Sequence, residues 1–236
     1  MREDSIQITI EGDYGPEHTY HHVSLEGILT IPPQQEKNPK KGIVVFAHGS
    51  GSSGRHSPRN QYVASVLNNE SRIGTLLVDL LTSEEQKIDE RTKEYRFNIK
   101  LLANRLAATT DWLLSENPKT QNASSIGYFG ASTGAAAALI ASVKHPDIIK
   151  AIVSRGGRPD LAGSYLKQVQ SPTLLMVGSK DNPQVISWNQ KSLQQLKNAK
   201  EKRLVMIPGA GHLFEEPGTL EEAAKHAASW FERYLL

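Results

Sequence analysis

Gly130-Ala131-Ser132-Thr133-Gly134 constrains this chain more than any other stretch. Residues 126–129 before it are mostly apolar, and residues 135–141 after it are rich in alanine. That order reads as strand, sharp turn, helix. A serine on such a turn is held out of the sheet with its Oγ exposed. A glycine stands on each side because the turn is too tight for a Cβ. The plainer alternative is a glycine-rich turn that only joins a strand to a helix.

The rest of the chain alternates in the same way. Ile6, Ile8 and Ile10 alternate with polar residues, and Val23, Leu25, Ile28 and Leu29 form a second strand, so the start reads as a hairpin turning at residues 12–16. Residues 34–41 read as a polar exposed loop. Further strands are predicted at residues 43–47, 75–78, 126–129, 151–153, 173–177 and 204–207. Helices are predicted at residues 61–68, 96–114, 133–143, 160–169, 185–196 and 220–234, while residues 80–93 read as a charged loop. The fold class is therefore α/β: a mostly parallel central sheet with antiparallel N-terminal strands and helices on both faces. Residues 1–236 are expected to form one domain.

In such sheets the functional groups gather at the carboxyl ends of the strands. Residues 43–47 are followed by His48-Gly49-Ser50-Gly51, and residues 126–129 by the turn carrying Ser132. Residues 173–177 are followed by Gly178-Ser179-Lys180-Asp181, and residues 204–207 by Pro208-Gly209-Ala210-Gly211-His212. A serine hydroxyl attacks poorly until a base takes its proton, and a neutral imidazole does that near pH 7. An aspartate on the other imidazole N–H fixes the tautomer and stabilises the imidazolium. Ser132, His212 and Asp181 are the candidates for these roles. For the oxyanion, the expected backbone donors are Thr133 and Ser50, with Gly51 competing for the second place. Asp181 has a plainer reading as a helix cap, and His48 one as a residue that orients its loop by a hydrogen bond.

With these residues in chain order Ser, Asp, His, the sequence resembles the α/β-hydrolases, and within them the dienelactone hydrolase-related family. The resemblance runs from about residue 41 to residue 236 and is carried by the elbow, the His48-Gly49-Ser50 loop, the acid turn and the histidine turn. It implies an α/β-hydrolase fold and acyl hydrolysis. Dienelactone hydrolases use a cysteine where this chain has Ser132, so the resemblance here implies a serine esterase or related acyl hydrolase. A short-peptide peptidase needs the same three groups, and a non-catalytic ligand-binding protein on the same fold is the alternative of another class.

Four arginines, Arg55, Arg59, Arg155 and Arg158, are placed by sequence at the same sheet edge. Guanidinium groups suit a carboxylate or phosphate, so Arg55, Arg155 and Arg158, with Gly51, are candidate substrate-binding residues for a small anionic molecule. The alternative is that they pair with Asp79, Asp160 or nearby carbonyls and brace the loops. Only about twenty residues separate the strands ending at Val153 and beginning at Thr173, which excludes a large cap there.

Composition narrows the partners. A net charge of +2 gives no case for nucleic acid. The absence of cysteine removes disulfides, thiolate metal sites and a cysteine nucleophile together. His18, Tyr20 and His22 share a strand face, but no carboxylate or cysteine pattern accompanies them, so no metal and no organic cofactor is expected. No run approaches a membrane span or a signal peptide, and a cytoplasmic location is expected. The sequence does not define the oligomeric state.

Overall fold

The structure, a computed structural model, describes residues 3–13, 20–33, 42–49, 54–117, 120, 123 and 125–236. The predicted 34–41 loop, His18, Ser50 and Gly51 lie outside them. Eight strands form one sheet: β1 (Glu3–Asp13), β2 (Tyr20–Thr30), β3 (Gly42–Ala47), β4 (Gly74–Val78), β5 (Ser125–Ala131), β6 (Ile149–Arg155), β7 (Thr173–Gly178) and β8 (Lys202–Ile207). Their spatial order is β1-β2-β4-β3-β5-β6-β7-β8. The β1–β2 and β2–β4 pairs are antiparallel and all the others parallel, so the expected mixed sheet is observed.

The strands are apolar on both faces because both are covered. Along β3, Ile43, Val45 and Ala47 point into one core, and Val44 and Phe46 into the other. The first core also takes Ile8 and Ile10 of the hairpin, with α3 (Ile99–Ser115) and α4 (Thr133–Lys144). The second lies under α1 (Pro58–Asn69) and α6 (Thr219–Leu235). The alanines of α4 let it lie close on the sheet: Ala135 to Ala138 and Ala141 have no exposed surface.

Two segments differ from the sequence expectation. The charged stretch after β4 folds as α2 (Ser83–Thr92) rather than as a loop. Its start is a capping box: Glu85 N–H donates to Thr82 Oγ1 at 3.2 Å, and Thr82 N–H donates to Glu85 Oε2 at 2.9 Å. Its end is Lys93 in the left-handed region, φ 61°. Residues Pro159–Gln168 form two short 3₁₀ pieces broken at Gly163 (φ 53°), in place of one helix. Helix α5 (Pro183–Gln195) follows β7 and is capped by Asn182, whose side chain accepts from Gln184 N–H at 2.9 Å. The cap is thus Asn182, and Asp181 is left for another partner.

Candidate active site

Ser132 ends the β5 turn and precedes α4 with φ 49° and ψ −122°. A non-glycine residue there is strained and persists only where its surroundings force it. The close approach of backbone does so. A Cβ at Gly130 would lie 2.4 Å from Ala135 Cα, and one at Gly134 would lie 2.1 Å from the Ala47 carbonyl oxygen. A Cβ at Gly49 would meet Ser132 Cβ at 2.6 Å. Gly49, just after β3, therefore lies directly against the elbow. Thr133, buried, opens α4, whose N-terminal dipole points toward Ser132.

Asp181 and His212 meet two strands away. His212 Nδ1 lies 2.9 Å from Asp181 Oδ2 and 3.2 Å from Oδ1. The aspartate side chain is 1 % exposed and that of the histidine 39 %, so the acid is sealed and the base is open to solvent. Asp181 Oδ1 also accepts the Asn182 N–H at 2.6 Å. Backbone bonds stitch the two turns together: Ser179 N–H to the Ile207 carbonyl and Lys180 N–H to the Ala210 carbonyl, both 2.9 Å. Gly211 N–H donates to Glu216 Oε2 at 2.9 Å, and that bond holds the Glu216 carboxyl below the ordinary glutamate range.

The serine and the histidine are linked through the segment after β6. Arg158 N–H donates to the Ser132 carbonyl at 3.0 Å. A Cβ at Gly156 would lie 2.9 Å from the His212 carbonyl oxygen. Among the described residues no hydrogen bond joins Ser132 Oγ to His212, an open geometry common where such a pair tightens only around substrate.

His48 sits between backbone groups. Leu80 N–H donates to its Nε2 at 3.3 Å, and its Nδ1 faces the Gly49 carbonyl at 3.1 Å. The arginines divide. Arg55 pairs with Asp79 and with Glu26, the latter at 2.6 Å. Arg158 makes a bidentate pair with Asp160 at 2.9 and 2.8 Å and stacks 3.7 Å over Trp188. Arg59 pairs with Glu215 at 3.0 Å. These three follow the loop-bracing alternative rather than presenting bare guanidiniums to a substrate. Arg155 is buried and meets no carboxylate among the described residues. Ser50 and Gly51 fall outside the described residues.

A cavity of about 240 Å³ opens beside Thr133, between His48 and Gly49 on one side and Gln86, Glu90 and Arg96 on the other. None of these last three is a sequence-predicted site residue: Gln86 and Glu90 lie on α2, which the sequence reads as a loop, and Arg96 stands in the turn before α3. The signal that could have found the helix was Thr82-x-x-Glu85. Arg96 is held by Asp89, Nε to Oδ2 at 2.5 Å. A wider cleft of about 850 Å³, shared with the hairpin, adjoins it at Asp79 and Leu81. Among the described residues no helix is long and apolar enough to cross a membrane.

The model of the dienelactone hydrolase family matches residues 25–235. A crystal structure of a dienelactone hydrolase from Anabaena variabilis is 51% identical, with a TM-score of 0.82, covering 98% of this chain and 99% of that one. Est1E from Butyrivibrio proteoclasticus superposes with a TM-score of 0.71 over 96% of this chain and 98% of its own, at 17% identity, which bears on the fold alone. A Mycobacterium tuberculosis protein provisionally named as a phosphoribosyl transferase is 47% identical over 235 residues. That alignment takes in 100% of this chain and 47% of the mycobacterial protein, so the chain spans about half the length of this curated relative. On the match across residues 25–235 and the 51% identity to a dienelactone hydrolase, the chain belongs to the dienelactone hydrolase family.

Proposed function

We propose that the chain is a serine hydrolase that cleaves an ester or thioester of a small molecule through an acyl-enzyme. The observation that supports this reading is Ser132, a non-glycine residue at φ 49° on the elbow, tied through the segment after β6 to the turn where His212 meets Asp181. Ser132 Oγ attacks the carbonyl while His212 Nε2 takes its proton. Asp181, accepting from His212 Nδ1–H, holds the tautomer and stabilises the imidazolium. The oxyanion is received by the Thr133 N–H and by an N–H of the Ser50-Gly51 loop. His212 then protonates the leaving group, and water, activated by the same histidine, releases the acid.

The pairing of Arg55 and Arg158 with carboxylates removes two of the three guanidiniums that favoured an anionic substrate. A neutral ester small enough for the cavity beside Thr133 is therefore the first substrate class to try. The transferase name belongs to proteins of which this chain spans 47%, and the hydrolase family match covers the shared segment. We assign hydrolysis, rather than phosphoribosyl transfer, to that segment.

The test is hydrolysis of p-nitrophenyl esters of increasing acyl length by the wild type and by Ser132→Ala. Turnover that disappears in a folded variant, together with labelling of the wild type by a fluorophosphonate, is the expected result. Wild-type protein that turns over no ester and takes no label would favour a ligand-binding role on the same fold.

A further inference from the structure

Arg155 closes β6, and its register partner in β5 is Ala131, the residue before Ser132. It is 7% exposed. Its one hydrogen bond among the described residues, Nη2 to Asn60 Oδ1, is long at 3.4 Å, and Nε and Nη1 have no partner. Burial, with Arg59 nearby, pushes its pKa down to about 10, which leaves it charged at neutral pH. A buried cation without a counter-charge is destabilising, and an apolar residue of similar volume is often better tolerated in such a place.

The guanidinium has two close neighbours of another kind. Its centre lies 5.9 Å from the Phe129 ring centroid and 5.8 Å from that of Phe214, both within cation–π reach. Phe129 lies on β5 three residues before Ser132, and Phe214 lies two residues after His212. Phe214 is held at φ 57°, which a bulky side chain adopts only under constraint. Next to Arg155, Gly156 runs at φ 51°, with its α-hydrogen side against the His212 carbonyl.

We infer that Arg155 is a positioning residue: its guanidinium, held between Phe129 and Phe214, fixes the His212 loop to the strand that carries Ser132. It does not contact the substrate, in contrast to the binding role expected from sequence. The cation earns its place by registering two catalytic elements. This role rests on the serine-hydrolase reading above.

Replacing Arg155 by Met separates positioning from stability. If the residue were merely structural, melting temperature and activity would fall together. If it positions His212, Arg155→Met melts no lower than the wild type, because the uncompensated charge is gone. Its kcat and its fluorophosphonate labelling rate nevertheless fall by about tenfold to a hundredfold, as expected of a misplaced base. KM for a neutral ester stays within about threefold. Arg155→Lys, which keeps a cation between the rings, recovers part of the rate.

Wild-type kcat and labelling in Arg155→Met overturn this role alone. So does a loss confined to KM for an anionic ester, which returns Arg155 to substrate binding. A wild type that takes no label overturns the serine-hydrolase reading and this role with it. Should Arg155→Met fail to fold, Phe214→Leu removes the second ring and leaves the cation: a comparable loss of kcat is expected, and wild-type kcat overturns the inference.

Discussion

Ser132 pays for its exposure in backbone strain. At φ 49° and ψ −122° its Cβ is the source of the penalty, and the tight backbone around Gly130 and Gly134 holds it there. Removing only the hydroxyl leaves that strain in place, whereas removing the Cβ relieves it. Ser132→Ala and Ser132→Gly are therefore both expected to lose labelling, but Ser132→Gly should be the more stable by about 1 kcal/mol. In a thermal melt this appears as a difference of about 2–4 °C in a chain of this size. Equal melting temperatures would show that the elbow is not strained. The residues that could be placed from sequence are those whose positions follow from short spacing: the two glycines are fixed by the turn, and Asp181 and His212 by standing directly after strands. Asp79 and Asp160 could be named from sequence as bracing partners for the arginines, but Glu26 and Glu215 could not. Arg55 meets Glu26 on β2 and Asp79 after β4, and such pairings depend on how strands stack, not on any local pattern.

At the scale of elements, α2 shows where periodicity fails. Its ten residues carry one apolar side chain packed on the core, Ile88, so no apolar stripe announces a helix. Polar ties hold it instead. Arg105 of α3 is fully buried and makes a bidentate pair with Glu85, at 2.5 and 2.6 Å, and a bond to the Leu80 carbonyl at 2.8 Å. Glu85→Ala would take a carboxylate partner from that buried guanidinium and undo the capping box. A loss of about 3–5 kcal/mol is expected in denaturant unfolding. A loss below about 1 kcal/mol would mean that water reaches Arg105 and that the pair is surface-like.

The histidine turn has a similar polar tie with a different pH signature. Glu216 has a depressed pKa because its carboxylate accepts the Gly211 N–H. Its contribution is present above the unfolded value of 4.5 and is lost as pH falls through the lower folded value. The wild type is expected to outlast Glu216→Gln at neutral pH, with the gap in melting temperature closing on the acid side. A gap that is constant with pH would exclude the carboxylate as its cause.

For the whole molecule, the sheet and its two covered faces were legible in the sequence because alternating strands and helices leave few topologies open. The packing distances were not, since they depend on which side chains are absent. Gly127 on β5 is an example. A Cβ there would lie 2.7 Å from Phe231 Cε1 and 3.1 Å from Leu235 Cδ1, so α6 lies on the sheet only because this position is bare. Gly127→Val is expected to lower stability by about 1–3 kcal/mol through overpacking. Hydrogen exchange should quicken in α6 and α1, which share that core, more than in α3 and α4. Uniform quickening would mean that the two faces unfold as one unit.

The cradle around Ser132 is built from main chain: the Ala47 carbonyl against Gly134, Ala135 against Gly130, and Gly49 against the serine Cβ. None of these contacts involves the hydroxyl. The described cradle therefore fixes the backbone of residue 132 and sets no requirement on the atom its side chain displays.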